Sequence, residues 1–84
     1  MNDLRAEVRR FIVDSFLFGQ PDERLTDAAS FLDAGLIDST GVLELIAFLE
    51  RCYGIVVGDD DIVPSNLDSV DRVARFVDRK RALS

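Results

Sequence analysis

Apolar residues recur at helical spacing in three stretches of the chain. The first holds Leu4, Val8, Phe11, Ile12 and Phe16 at intervals near three and four, which predicts an amphipathic helix of about four turns. Asn2 is its candidate N-cap and Gly19 its stop. The second runs Val42, Leu45, Ile46, Leu49, Cys52 and Tyr53, the i, i+3, i+4, i+7 pattern carried on for a further turn, and is the clearest helix in the chain. Asp38 or Ser39 can cap its start, and Gly54 can close it in the left-handed conformation. The third repeats the pattern with Val70, Val73, Ala74 and Val77. Asp68 or Ser69 caps it, and Arg79, Lys80 and Arg81 complement the helix dipole at its far end.

Between the first two helices, residues 19 to 37 lose the periodicity. This long loop has Phe31, Leu32 and Leu36 as apolar anchors, and loops of such length inside compact domains tend to be functional. Gly58-Asp59-Asp60-Asp61-Ile62-Val63 predicts a short acidic helical turn closed by Pro64, since proline lacks a donor and restricts the residue before it. Ile55-Val56-Val57 is too short to seed a sheet. The expectation is an all-α chain, a small four-helix bundle of three main helices and one short one. A single domain spans residues 1–84, with residues 82–84 frayed. Phe11, Phe16 and Phe76 belong to its core. Cys52 falls on the apolar side of its helix, where a small buried hydrophobe is expected rather than a reactive thiol.

Composition narrows the function. The 84 residues include no histidine, one cysteine and no tryptophan, which removes the usual metal clusters, histidine-activated nucleophiles and any internal disulfide. Neither a resident metal nor catalysis is expected. The N-terminus lacks a basic segment followed by an apolar one, and no apolar run reaches membrane-spanning length, so a cytoplasmic protein without membrane contact is expected. The net charge of −6 is unevenly placed. Residues 1 to 25 hold five acids and four bases, residues 26 to 61 eight acids and one base, and residues 62 to 84 three acids and five bases, giving −1, −7 and +2. An acidic middle disfavours nucleic acid and favours a basic partner surface. Arg72, Arg75, Arg79, Lys80 and Arg81 read as a solvated face.

Candidate chemistry sits where the long loop meets the strongest helix, at Asp38-Ser39-Thr40-Gly41. A serine there exposes its hydroxyl, and a phosphate esterified to it lies beside unpaired backbone N–H groups and the positive end of the dipole. Glycine in a first helical turn costs about 1 kcal/mol relative to alanine and calls for a reason, such as close approach by another molecule. A calcium loop at Asp59, Asp61 and Val63 fails, because Pro64 stands at the turn-glycine position and Val70 at that of the bidentate glutamate.

The stretch from Gly35 to Ile46, with Asp38-Ser39 at its centre and Glu44-Leu45 in the helix that follows, resembles the attachment motif of the acyl carrier protein family. Glu50-Arg51-Cys52-Tyr53-Gly54-Ile55, Gly58-Asp59-Asp60-Asp61 and Asn66-Leu67-Asp68-Ser69-Val70 are similar, in order, to that family's helix end, acidic short-helix region and approach to the last helix. The resemblance implies a four-helix carrier in which Ser39 bears 4'-phosphopantetheine derived from coenzyme A. Asp38 then serves recognition by the phosphopantetheinyl transferase, a Mg2+-dependent partner, and acyl groups ride as thioesters on the arm.

Thr40 and Gly41 replace the leucine and acidic residue common after the serine in carriers of primary fatty acid synthesis. The variant resembles stand-alone carriers of specialised pathways, loaded by a discrete adenylate-forming ligase and unloaded by an acyltransferase or synthase. An aminoacyl or peptidyl cargo, or an unmodified helical adaptor, are the alternatives. On the second helix Leu43, Ala47 and Phe48 fall outside the core stripe. Leu43 and Ala47, with Thr40, Glu44 and Glu50 around them, form the expected partner-docking face of a monomer.

Overall fold

A computed structural model describes residues 4–20 and 22–83. Four α-helices follow in order: α1 (Leu4–Phe16), α2 (Ser39–Tyr53), α3 (Pro64–Leu67) and α4 (Val70–Leu83), with a single 3-10 turn at Asp59–Asp61 before α3. The described residues contain no strand. Asn2, the expected cap of the first helix, and Ser84 lie outside the described residues. α4 itself runs to Leu83.

The stripes meet as the spacing requires. Leu4, Val8 and Ile12 of α1, Leu45, Ile46 and Leu49 of α2, and Val70, Val73, Ala74, Phe76 and Val77 of α4 are buried in one cluster with Leu25, Phe31, Leu36 and Ile37 of the long loop. Each of these side chains larger than alanine contributes about 1.5–3 kcal/mol by leaving water. α4 is the central element, packing along α1 and α3 and touching α2. Gly54 ends α2 at φ 66°, its N–H donating to the Glu50 carbonyl at 3.1 Å.

Four expectations fail locally. Cys52 is exposed. In the last turn of α2, residues 50 to 53, only Tyr53 still packs, half-buried, against the core, and Cys52 faces outward although the apolar period continues. Phe48, off the predicted stripe, is half-buried because Phe11 of α1 stacks on it with ring centroids 4.1 Å apart. Leu32 is 49% exposed; its backbone is held, not its side chain. Pro64 does not close a helix at 58–63 but opens α3 at the first helical position, where its missing donor costs nothing and its fixed φ suits the helix.

The long loop is stapled through polar groups. The Phe31 N–H donates to the Asp68 carbonyl at 2.8 Å and the Asp71 N–H to the Asp27 carbonyl at 2.9 Å. The Asp68 carboxylate accepts the Ser30 hydroxyl and, at 3.1 Å, the Leu32 N–H. Arg9 reaches the Leu25 carbonyl and Asp27. Hydrogen bonds of this kind fix a segment that regular secondary structure leaves unpaired.

Candidate functional site

The start of α2 is built by Asp38. Its backbone is extended (φ −100°, ψ −176°), and its Oδ1 accepts the Gly41 N–H at 2.8 Å. The cap is therefore aspartate, which leaves Ser39 as the first helical residue. Ser39 is exposed, and its hydroxyl makes no hydrogen bond among the described residues. Thr40 beside it is also exposed. The leading N–H groups of a helix and its dipole give such a position a positive character.

Gly41 is explained from within the fold, not by an approaching molecule. It is buried, and a Cβ there would lie 2.7 Å from Ile37 Cγ2 and 2.8 Å from Phe16 Cε1. The end of α1 and the end of the loop thus press on the first turn of α2, fixing where Ser39 stands.

Beside Ser39 opens an apolar cleft of about 240 Å³, lined by Leu32, Ser39, Val42, Leu43, Ile62, Val63, Pro64, Leu67 and Asp68. Its far wall is Ile62 and Val63 with Pro64 and Leu67 of α3, and this wall and the 3-10 turn before it are tied to α4 by polar contacts. Lys80 pairs with Asp61 at 2.7 Å, Arg79 donates to Asn66 Oδ1 at 2.7 Å, and the Asn66 amide donates to the Asp61 carbonyl at 2.9 Å. The hydrogen bond from Lys80, then that from the Gly58 N–H, hold the Asp61 carboxyl below the usual carboxylate range. Part of the basic set read as a solvated face therefore fastens the cleft wall. A larger hollow of about 460 Å³ between α1 and the loop is lined by Arg5, Arg9 and Arg10 with Asp14, Asp22 and Asp27. Arg9 pairs with Asp27, Arg5 with Asp71 and Asp22 with Arg24, so those charges serve the fold.

The other residues singled out on α2 fall on its outer side. Leu43 is 62% exposed, and Glu44 and Ala47 are exposed. Glu50 is exposed too, but its Oε2 accepts the Val57 N–H at 3.0 Å, so it also holds the segment that follows α2. The cleft residues Ile62, Val63, Leu67 and Asp68 escaped the sequence reading. No local period or motif marks them as a cleft; the pair Asp68-Ser69 only repeats the dipeptide at the start of α2.

The family model described as "Phosphopantetheine attachment site" matches residues 17–77. The chain is 26% identical over 82 residues to acyl carrier proteins of Sinorhizobium fredii and Rhizobium meliloti, covering 98% of this chain and 100% of each relative. It is 24% identical over the same span to the acyl carrier protein of Zymomonas mobilis. Its fold matches the solution NMR structure of a holo acyl carrier protein from Nitrosomonas europaea with a TM-score of 0.75 and 29% identity, over 98% of this chain and 99% of that one. With the family model spanning most of its length, the chain belongs to the acyl carrier protein family, as a carrier rather than an enzyme with a phosphopantetheine attachment site.

Proposed function

We propose that Ser39 is the attachment residue and that the chain is a single-domain, monomeric carrier of acyl thioesters in a specialised biosynthetic pathway, loaded by a discrete adenylate-forming ligase. The observation that carries the Ser39 assignment is the division of labour at the start of α2. Asp38 does the capping, so the exposed Ser39 hydroxyl is left without a structural task. The site suits the group chemically, because a phosphodiester on Ser39 stays anionic beside the amino end of α2. The group supplies a terminal thiol that holds an acyl chain as a thioester.

The chain's own residues supply position, cover and recognition. Asp38 fixes the first turn, and Gly41 admits Phe16 and Ile37 against it. Val42, Leu43, Ile62 and Leu67 offer apolar cover beside Ser39. Leu43 and Ala47, with Thr40, Glu44 and Glu50 near them, give a partner a small dry patch within an acidic field, suited to electrostatic steering followed by apolar docking. The partners are the phosphopantetheinyl transferase, then the ligase and a downstream acyltransferase or synthase. Thr40 and Gly41 support the specialised pathway. Dependence on coenzyme A supports a cytoplasmic setting.

The test is direct. Incubation with coenzyme A, Mg2+ and a broad-specificity transferase adds one phosphopantetheine to the wild type and none to Ser39→Ala. An unchanged wild-type mass, beside a control carrier modified in parallel, contradicts the reading.

A further inference from the structure

α1 ends in a turn whose residue choice works against local stability. The Gly19 N–H donates to the Val13 carbonyl at 2.9 Å and the Gln20 N–H to that of Leu17 at 2.9 Å, and between them Phe18 takes a left-handed backbone, φ 55°. Helix ends place glycine or asparagine in that conformation, which strains a bulky residue. Phe18 is the sole non-glycine residue with positive φ among those described, and its side chain is 92% exposed. Leu32, Leu43, Ile62 and Val63, also exposed, line the cleft; Phe18 belongs to no packed surface. A strained backbone that presents an uncovered aromatic side chain points to a use outside the fold.

Its place in the molecule says which use. The Phe16 ring presses on Gly41, so the end of α1 abuts the first turn of α2, and Phe18 follows within about 7 Å of chain reach. Ser39 and Phe18 therefore share one end of the bundle. A standard interface covers on the order of 800 Å² per partner, enough for a protein acting on Ser39 to cover Phe18 as well.

We propose that Phe18 is the aromatic anchor by which the phosphopantetheinyl transferase holds this carrier, inserted into an apolar recess bordered by basic residues. The inference rests on Ser39 being the attachment residue. Among the partners, the transferase alone must bring its reacting groups to an oxygen on the protein body. There the Ser39 Oγ forms a bond to the pantetheine-bearing phosphorus of coenzyme A, the pyrophosphate bond breaks, adenosine bisphosphate leaves, and the hydroxyl proton passes to an enzyme base. Later enzymes meet the far end of a flexible arm and are free of that constraint. Asp38 and Glu44, exposed at the start of α2 on either side of Ser39, ask for a basic border. Aromatic side chains in desolvated pockets are the usual centres of interface energy.

The experiment follows transferase kinetics with apo carrier as the varied substrate. Phe18→Gly melts at or above the wild-type temperature, raises KM about tenfold and leaves kcat within about twofold, while Phe18→Tyr keeps a near wild-type KM. Val56→Ser is the control: Val56 is 76% exposed and lies beyond the opposite end of α2 from Ser39, and its KM is unchanged. Equal KM for Phe18→Gly and wild type overturns the proposal, as does an equal rise in Val56→Ser or a wild-type dimer that Phe18→Gly abolishes. A wild type that the transferase leaves unmodified overturns the Ser39 reading itself and this inference with it.

Discussion

Two helices of this chain begin with the same dipeptide, Asp-Ser, and put it to opposite uses. At α2, Asp38 caps the helix and Ser39 stands exposed with a hydroxyl that bonds to none of the described residues. At α4, Ser69 is the cap, accepting the Arg72 N–H at 3.1 Å, and is 2% exposed. Asp68 is buried there, gripping Ser30 and Leu32 of the long loop. Which of the two residues caps decides whether the serine is free for chemistry. Asp-Ser alone carries no functional information; the neighbours do. Behind Ser69, Val70, Val73 and Ala74 are all buried, whereas behind Ser39 Leu43 faces out and Leu45 faces in.

The contrast is broken most sharply one turn into α2. Leu45 is fully buried, so Leu45→Ala costs roughly 2–5 kcal/mol, read by urea denaturation, with modification intact under conditions where the variant stays folded. Leu43→Ala leaves the denaturation midpoint nearly unchanged and slows transferase modification severalfold. A Leu43→Ala variant that unfolds readily yet is modified normally would place that side chain in the core.

Removing the two aspartates separates a clamp from a cap. Asp68→Ala strips the acceptor from the Ser30 hydroxyl and the Leu32 N–H and costs about 1–3 kcal/mol. Asp38→Ala costs about 1 kcal/mol as a lost N-cap and, unlike Asp68→Ala, lowers the rate of modification at temperatures where both are folded. Ser69→Ala costs about 1 kcal/mol without touching attachment. Equal modification rates for Asp38→Ala and Asp68→Ala would erase the distinction between the two helix starts.

The smallest effect is on the cleft wall. Asp61 titrates below the usual range because Lys80 and the Gly58 N–H hold its charged form. A lowered carboxyl favours the folded state above the unfolded value, near pH 4, and that contribution disappears as pH falls through the folded value. Thermal denaturation between pH 5 and pH 3 then shows a steeper loss for wild type than for Asp61→Asn. Parallel curves would show that the Lys80 pair adds nothing.

Much of the fold was written in the spacing. α1, α2 and α4 each repeat apolar residues over several turns, and the structure has a helix at each place. α3 spans four residues, too few to show a period, and Pro64 reads equally as a terminator or as a first helical residue. Cys52 and Phe48 show the limit of a wheel drawn for one helix: exposure depends on what the other elements bring to each face, as Phe11 is brought onto Phe48 and nothing among the described residues onto Cys52, which are tertiary facts. Ser39 was legible because a whole ordered motif surrounds it. The cleft beside it was not, since Leu32, Leu43, Ile62 and Leu67 meet only once α3 is fastened to α4. The role of Asp68 was equally hidden, because its partners lie 36 and 38 positions away.

The central claim is that the free serine of the two Asp-Ser pairs is the one modified, and fragment mass mapping of the transferase-treated wild type tests it most directly. The account predicts one phosphopantetheine per chain, on the peptide containing Ser39, with the peptide containing Ser69 unmodified. A group found on Ser69, on Thr40 or nowhere would contradict it.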